Sequence, residues 1–497
     1  MSDRLGALLE GLDHRLVGDA DVSVDDVTAD SRKVGPGSVF VAVRGGRVDG
    51  HDFVPSAVGS GARAVVVDAA GTIGLELPEG ITRVVVEDPR EALGHMVRRR
   101  FDHPDRALTV VAVTGTNGKT TVSHLVRDLL THTGRRCGLI GTIRYDVLDR
   151  EIAAPLTTPA PEELLPLLAM IRDHGGDAVS MEASSHALDQ RRLAGIEIDV
   201  AAFTNLSHEH LDYHGDLESY FAAKRRLLDH LDQRVREKAI GRAVVYLDDP
   251  FLGAREWPED AIRVGTGDGC RVRARSIRCD ADGIVLDVEL DGVEQRLSSG
   301  LLGAYNAANL LVVAGIGTAL GLGPDELAAA FPSLRPVPGR LEPVELEGGP
   351  QVLIDYAHTP EGMRSTLDTV RSIVYGRLFV VFGCGGDRDR AKRPAMASIA
   401  VERADRVVLT LDNPRTEDPA RIFADAEPGF AAAPDRARCI DDRAEAVAWV
   451  LNEAGPADTV VICGKGHETY QILGTEKIPW DDRVVLLDAW REIGGAR

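Results

Sequence analysis

At 497 residues with 44% hydrophobic content, the chain has room for about three domains. A formal net charge of −21 argues against general nucleic-acid or anionic-membrane binding, so anionic ligands must be met by local basic clusters. Charges interrupt residues 1–21 throughout, so no signal sequence is visible there, and six cysteines (Cys137, Cys270, Cys279, Cys384, Cys439, Cys463) without a Cys-x-x-Cys pair fit a reducing cytoplasm and no structural zinc.

In chain order, residues 38–43, 64–67 and 83–86 are short strand-like runs that predict a small α/β unit. Arg98-Arg99-Arg100 reads as a solvated helix end. Residues 108–113 form a β-branched apolar run of the kind that fills a central parallel strand. Gly115-Thr116-Asn117-Gly118-Lys119-Thr120-Thr121 comes at once after it, and Leu125, Val126, Leu129 and Leu130 then recur at helical spacing, so a helix begins near Lys119. A glycine turn between strand and helix lets backbone N–H groups close on phosphate oxygens. The helix N-terminus adds a favourable dipole, Lys119 a point charge, and Thr120 a hydroxyl that can reach magnesium. The general phosphate-loop pattern asks for glycine where this chain has Val113, which points to a subclass reading Gly-Thr-x-Gly-Lys-Thr. A turn that binds nothing would have no use for Lys-Thr-Thr directly after it.

A second series of strands is predicted at 178–181, 200–203 and 243–247. A third, at 352–354, 378–382, 406–411 and 459–462, comes after the hinge-like Pro336-Val337-Pro338-Gly339. Strands alternating with helical stretches imply doubly wound parallel sheets. The window 297–324 carries no charge and could span a bilayer by length, but Tyr305, Asn306, Asn309 and its glycines favour a buried helix with its turns.

The residues just past each strand are informative, because ligands of open α/β sheets bind at the carboxyl edge. Glu182-Ala183-Ser184-Ser185-His186 and Thr204-Asn205-Leu206-Ser207-His208-Glu209-His210-Leu211-Asp212-Tyr213-His214 end strands of the second series. Asp355-Tyr356-Ala357-His358, the run from Gly383 to Arg390, Asp412-Asn413-Pro414-Arg415 and Gly464-Lys465-Gly466-His467-Glu468 end those of the third. Six polar clusters suggest that both sheets contribute to ligand binding. The spacing His208-x-His210-x-Asp212-x-His214 is similar to the two-zinc box of metallo-β-lactamase-like hydrolases. Here Tyr213 displaces the last ligand, and a phosphate loop has no role in that chemistry; one histidine of the group serving a magnesium site is the alternative.

Gly-Thr-Asn-Gly-Lys-Thr-Thr, Glu-x-Ser-Ser-His, Asp-Tyr-Ala-His-Thr-Pro and Gly-Asp-Arg-Asp-x-x-Lys-Arg-Pro stand in the order and approximate spacing of the Mur ligase family, which the chain resembles from Asp30-Ser31-Arg32 to Gly464-Lys465-Gly466-His467-Glu468. The resemblance is to the branch that adds the third residue to the UDP-N-acetylmuramoyl peptide. It implies three α/β domains: a uridine-binding domain at 1–106, a phosphate-loop ATPase domain with a parallel sheet at 107–336, and a Rossmann-like amino-acid-binding domain at 337–497.

The resemblance also assigns residues. Ser31 and Arg47 would meet the UDP end of the substrate, and Thr157, Thr158, Ser184, Gln190 and Arg192 the muramoyl peptide and diphosphate. Gly115, Thr116, Asn117, Gly118, Lys119, Thr120, Thr121, Asn306, Arg340, Asp355 and His358 would surround ATP; Arg340 as a hinge salt bridge is the bland alternative. Lys119, Glu182, His210 and Lys224 would be catalytic. Thr120 and Glu182 would hold one magnesium ion, and His210 with a CO2-derived carbamate on Lys224 a second. By itself Lys224 reads as one more surface lysine.

The implied reaction is ATP-dependent ligation through an acyl phosphate, in cytoplasmic peptidoglycan-precursor synthesis, by a monomer acting on small molecules. The amine is expected to be meso-2,6-diaminopimelate, contacted by Arg388, Asp412, Asn413, Pro414, Arg415, Gly464 and Glu468: an arginine fork matches a second carboxylate, which lysine lacks. L-Lysine or another amine on the same scaffold, and Asp412 to Arg415 as a mere capped turn, remain the alternatives.

Overall fold

The computed structural model describes residues 3–46, 48–232 and 242–495, so Arg47 lies outside the described residues. The chain divides into two compact units, Met1–Arg273 with Leu311–Glu326, and Ala274–Leu310 with Leu327–Arg497.

The first unit holds two large sheets and a two-stranded one that pairs Asp3–Arg4 with Ser23–Val24. One has five strands in the order Arg15–Val17, Thr82–Val86, Ala64–Asp68, Ser38–Val41, Asp26–Thr28, parallel except for the first. In the other, Thr109–Thr114 is central, with Ala178–Glu182 and Val200–Phe203 parallel on either side. Cys137–Ile140 lies beyond the former and Arg242–Tyr246 beyond the latter, both also parallel. The β-branched run fills this centre because both faces are covered: Val110, Val111, Ala112 and Val113 have no solvent exposure. Val113 is registered against Glu182 on one side and Ala202 on the other. The position where the general loop pattern wants glycine is therefore still inside the ladder, where a packed side chain is worth more than backbone freedom.

In the second unit a six-stranded sheet runs Glu342–Val344, Gln351–Asp355, Thr459–Cys463, Leu378–Cys384, Arg406–Leu411, Ala437–Cys439, parallel except for the first pairing. Every strand predicted in the three series is present, several one or two residues longer at the carboxyl end, so that Glu182, Asp355 and Cys384 are still in the ladder. The uncharged window becomes the strand end Leu297 to Ser299 and the helix Ala304–Ala319. Among the described residues no helix is long and apolar enough to cross a membrane.

The arginine triplet is not a solvated helix end. Arg98, 13% exposed, donates from Nε and Nη2 to both oxygens of the fully buried Asp105 at 2.9 and 2.8 Å and pairs with Glu197 at 2.8 Å. Arg99 donates to the Ala7 carbonyl at 2.7 Å and pairs with Glu10, while Arg100 pairs with Asp3 and reaches the carbonyls of Val24 and Asp25. Apart from Asp105, seven residues on, their partners lie far away in sequence, so little that is local to the triplet reveals them.

Candidate active site

The phosphate loop is held from its neighbour strand. Gly115 (φ +154°) and Gly118 (φ +84°) take conformations that side chains rarely adopt, and a Cβ on Gly115 would lie 1.9 Å from Thr204 Oγ1. Beyond the strand Val200–Phe203, Thr204 Oγ1 donates to the Asn117 carbonyl at 2.6 Å. The Asn205 side chain accepts from the Asn117 amide at 2.8 Å and donates to its carbonyl at 3.0 Å. Gly118 caps the helix Lys119–His132, as predicted. Lys119 Nζ folds back onto the carbonyls of Gly115 and Thr116, 2.9 and 2.8 Å away, and so stands over the loop that would receive phosphate.

Glu182 ends its strand directly opposite Val113 and is fully buried. It accepts from the Thr120 hydroxyl at 3.0 Å, from the Thr142 amide at 2.8 Å and from the Thr142 hydroxyl at 3.2 Å. Among the described residues no lysine or arginine is ion-paired to it. A buried carboxylate ringed by hydroxyls is the donor chemistry of a hard divalent cation, and Thr120 and Glu182 fit magnesium on that ground.

Lys224, on the helix Leu217–Arg225, is only 2% exposed. Its Nζ donates to the Gly115 carbonyl at 2.6 Å and sits 4.4 Å from the Tyr220 ring centre. Burial, helped by the charge of Lys119, pushes its pKa well below the usual lysine range. His210 is exposed on a left-handed backbone (φ +56°), its ring 5.0 Å from that of His186 and 6.2 Å from that of Tyr220. Of the expected metal residues, Thr120 and Glu182 touch, Lys224 reaches the loop, and His210 stands one ring away from Lys224's aromatic neighbour. His208 and Asp212 are exposed, and among the described residues no three His, Cys, Asp or Glu side chains gather as a metal group, so a two-zinc box finds no support.

The residues expected at the muramoyl peptide form one hydrogen-bonded chain. Thr157 shares a bond with Thr142 at 3.0 Å, and buried Thr158 donates to the Glu182 carbonyl at 2.8 Å and accepts from the Ser184 amide at 3.1 Å. Arg192 donates to the Thr158 carbonyl at 2.9 Å and to Gln190 Oε1 at 2.8 Å. Ser31 lies in the turn after Asp26–Thr28, where Arg32 holds the Asp30 carboxyl down at about 2. Lys33 bonds Glu163 at 3.1 Å, tying this turn to the helix Pro161–Asp173 just past Thr158.

In the second unit Asp355 is buried and accepts from the amides of Leu341 and Ala357 at 2.8 and 2.9 Å and from Thr366 at 2.9 Å. Burial raises its pKa, against the pull of nearby Arg340. Arg340 makes no ion pair among the described residues; its guanidinium lies 4.9 Å from the Tyr356 ring centre, so the hinge salt bridge is not formed. The His358 ring bonds the Tyr356 carbonyl at 2.8 Å and packs edge-on at 4.7 Å. Asn306 is buried between the Leu302 carbonyl and Asn309.

The expected amine-binding residues converge at two adjacent loops. Asn413 donates to Glu468 Oε2 at 2.9 Å, and Asp412 and Pro414 are buried beside it. Gly464 (φ +112°) leaves Asp412 open: a Cβ there would come within 3.9 Å of its carboxyl carbon. Arg415, also left-handed (φ +52°), donates to the Gly386 carbonyl at 2.9 Å, which ties it to the loop bearing exposed Arg388. Its amide bonds the Ile472 carbonyl at 3.1 Å, so Asp412 to Arg415 is pinned by a hairpin, Tyr470–Leu473 with Glu476–Pro479, and is more than a capped turn. Sequence reasoning gave no role to Thr142, Asn205 or Lys465. Lys465 could have been singled out from its motif, whereas Thr142 comes after a strand, Cys137–Ile140, that carried no clear pattern.

A phosphate loop at the centre of one parallel sheet, and arginine, ammonium and carboxylate groups at the carboxyl edge of another, define a nucleotide-dependent α/β enzyme. Residues 23–101 match the Mur ligase family catalytic domain, 113–317 the Mur ligase middle domain, and 339–466 the Mur ligase glutamate ligase domain. The chain belongs to the Mur ligase family. It is similar to the UDP-N-acetylmuramoyl-L-alanyl-D-glutamate–2,6-diaminopimelate ligase of Geobacillus kaustophilus, 40% identical over 94% of each chain. The protein of the same name from Synechococcus sp. strain WH7803 is 41% identical over 97% of this chain and 98% of that one. A solved structure of a ligase of that name matches with a TM-score of 0.72 and 32% identity, over 99% of this chain and all of that one.

Proposed function

We propose that this chain is an ATP-dependent ligase that adds meso-2,6-diaminopimelate to UDP-N-acetylmuramoyl-L-alanyl-D-glutamate, with domains at 1–106, 107–336 and 337–497, acting as a cytoplasmic monomer. The observation that carries the choice of amine is the Asp412 to Arg415 loop, in which an arginine fork and two carboxylates, Asp412 and Glu468, stand together. That set matches an amino acid with an ammonium and a carboxylate at its far end.

A substrate carboxylate oxygen attacks the γ-phosphorus of ATP, the bond to the bridging oxygen breaks, and ADP leaves. The amine nitrogen then attacks the acyl carbon of the resulting acyl phosphate, the carbon–oxygen bond breaks, phosphate departs, and the nitrogen gives up its proton. Lys119 and the loop amides offset charge on the transferring phosphoryl group. Magnesium, when bound by Thr120 and Glu182, neutralises phosphate charge. Burial lowers the Lys224 pKa and so favours the neutral amine, the form that can take up CO2 as a carbamate and present oxygen donors to a metal ion. Thr157, Thr158, Ser184, Gln190 and Arg192 orient the muramoyl peptide, with Ser31 and Arg47 toward the uridine end; Asn306, Arg340, Asp355 and His358 hold the nucleotide, and Arg388 faces the amino acid.

The test is phosphate release by purified protein with the UDP-dipeptide, ATP and magnesium, comparing diaminopimelate, L-lysine and no amine. Turnover that depends on diaminopimelate is expected. Equal turnover without amine, or preference for lysine, would overturn the assignment.

A further inference from the structure

Lys465 is a fully buried lysine with no part in the two chemical steps of the ligation. Its Nζ donates to the Tyr470 carbonyl at 2.8 Å and to Asn413 Oδ1 at 3.1 Å. It lies 3.3 Å from Asp412 Oδ1 and 3.6 Å from Glu468 Oε2. One ammonium thus touches the end of the strand Arg406–Leu411, the loop after Thr459–Cys463, and the hairpin that begins at Tyr470.

The partners of Lys465 also hold one another. Asn413 Oδ1 accepts from the Ile472 amide at 2.9 Å while its Nδ2 donates to Glu468, and Gln471 Nε2 donates to the Asp412 carbonyl at 2.7 Å. An ammonium has three protons and no acceptor. Two are committed to Asn413 and Tyr470, and the third is directed among the carboxylates. Asp412 Oδ1 is buried yet makes no well-formed hydrogen bond, so it is held near the ammonium by charge while retaining an open acceptor. Two carboxylates share one buried ammonium, so Lys465 alone does not satisfy both, and the open acceptor on Asp412 is available to a substrate ammonium.

Given the assignment of this chain as a diaminopimelate-adding ligase, on which the inference rests, we propose that Lys465 is a positioning residue for the amine substrate: it fixes Asp412, Asn413 and Glu468 relative to one another and halves the repulsion between the two carboxylates. It touches no reacting atom, so its removal acts on recognition of the amine and leaves nucleotide binding in place. With a methionine there, Asp412 and Glu468 lose the buried ammonium between them and Asn413 loses one of its three side-chain partners.

The experiment measures KM for diaminopimelate, ATP and the UDP-dipeptide, together with kcat, in the wild type, Lys465→Met and Lys465→Arg, with thermal melting alongside. Lys465→Met should raise KM for diaminopimelate at least 30-fold with the other two KM values within about 3-fold, and Lys465→Arg should recover part of that loss. Should Lys465→Met fail to fold, Lys465→Gln, which keeps an N–H donor for the Tyr470 carbonyl but no charge, replaces it, and the same selective rise in KM is expected there. Unchanged KM for diaminopimelate in a folded variant, or a parallel rise in all three, overturns the proposal. If the wild type itself shows no dependence on diaminopimelate, it is the assignment of the reaction that fails.

Discussion

The side-chain nitrogen of Lys224 and the carbonyl oxygen of Gly115 are 2.6 Å apart, joining a buried lysine to the first residue of the phosphate loop across 109 positions of sequence. Lys119 donates to that same carbonyl at 2.9 Å. The loop therefore does not need Lys224 for its own hydrogen bonding, and burying an amine is unfavourable in itself.

If Lys224 carries the proposed carbamate, it serves activity at the expense of stability. Lys224→Met should keep the melting temperature within about 3 °C of the wild type, or raise it, because the carbonyl keeps its other donor and an apolar chain replaces a desolvated amine. Phosphate release should fall by about 100-fold or more, since no carbamate can form. A large drop in melting temperature would show that Lys224 is a structural clamp; retained turnover would remove it from the mechanism.

The Arg98 clamp makes the opposite prediction. Arg98→Ala leaves the fully buried Asp105 without its bidentate partner and Glu197 without its closer one. Breaking such a pair typically costs about 3–5 kcal/mol, so the urea midpoint should fall markedly. Arg98→Ala with Asp105→Ala should be less destabilised than the sum of the single changes. A midpoint within error of the wild type would return the triplet to the solvated role that its sequence suggests.

These two residues show what the letters could and could not say. Lys224 and Arg98 both read as surface charges, because burial of a long cation is decided in part by partners remote in sequence: Gly115 for the one, Glu197 for the other. The parallel strands were legible because apolar runs of four to seven residues have few other uses, and the phosphate loop because glycine, lysine and threonine at that spacing are required by backbone geometry. Short strands such as Arg144–Asp146 and Glu151–Ala153 were not, since three residues are too few for an alternation to stand out in the sequence. Lys465 sat in a motif that was noticed, but its four contacts exist only once three separate segments are brought together.

His467 gives a pH prediction. Burial lowers its pKa from an ordinary 6.5 to about 4, with the charge of Arg340 adding to the effect. Its ring packs 4.9 Å from Tyr356, and a Cβ on Gly339 would strike the His467 backbone, so the site has little room to relax. The folded state binds the proton less readily than the unfolded one. Stability from this group is therefore full above pH 6.5, declines as pH falls toward 4, and is constant below that, by on the order of 3 kcal/mol in all. His467→Gln should flatten the decline in unfolding free energy between pH 6.5 and 4 relative to the wild type; parallel curves would show that the ring is free to ionise in the folded protein.

Arg415 tests the choice of amine. Arg415 already bears the strain of its left-handed backbone, which alanine would share, so Arg415→Ala reports loss of the guanidinium, and Arg415→Lys, which keeps the charge and a long stem, is the needed companion. The guanidinium already donates to the Gly386 carbonyl at 2.9 Å, which leaves its remaining N–H groups for a ligand carboxylate. A point charge cannot do both jobs at once, so lysine should rescue little. Both variants are expected to raise KM for diaminopimelate by about 30-fold or more and to leave KM for ATP within about 3-fold, a loss near 2 kcal/mol in keeping with a charge-assisted bidentate contact. L-Lysine, which has no second carboxylate to lose, should be used equally poorly by all three forms. Equal damage to ATP and diaminopimelate would mean that Arg415 holds the Gly386 loop and little else, and substrate choice would then have to come from Arg388.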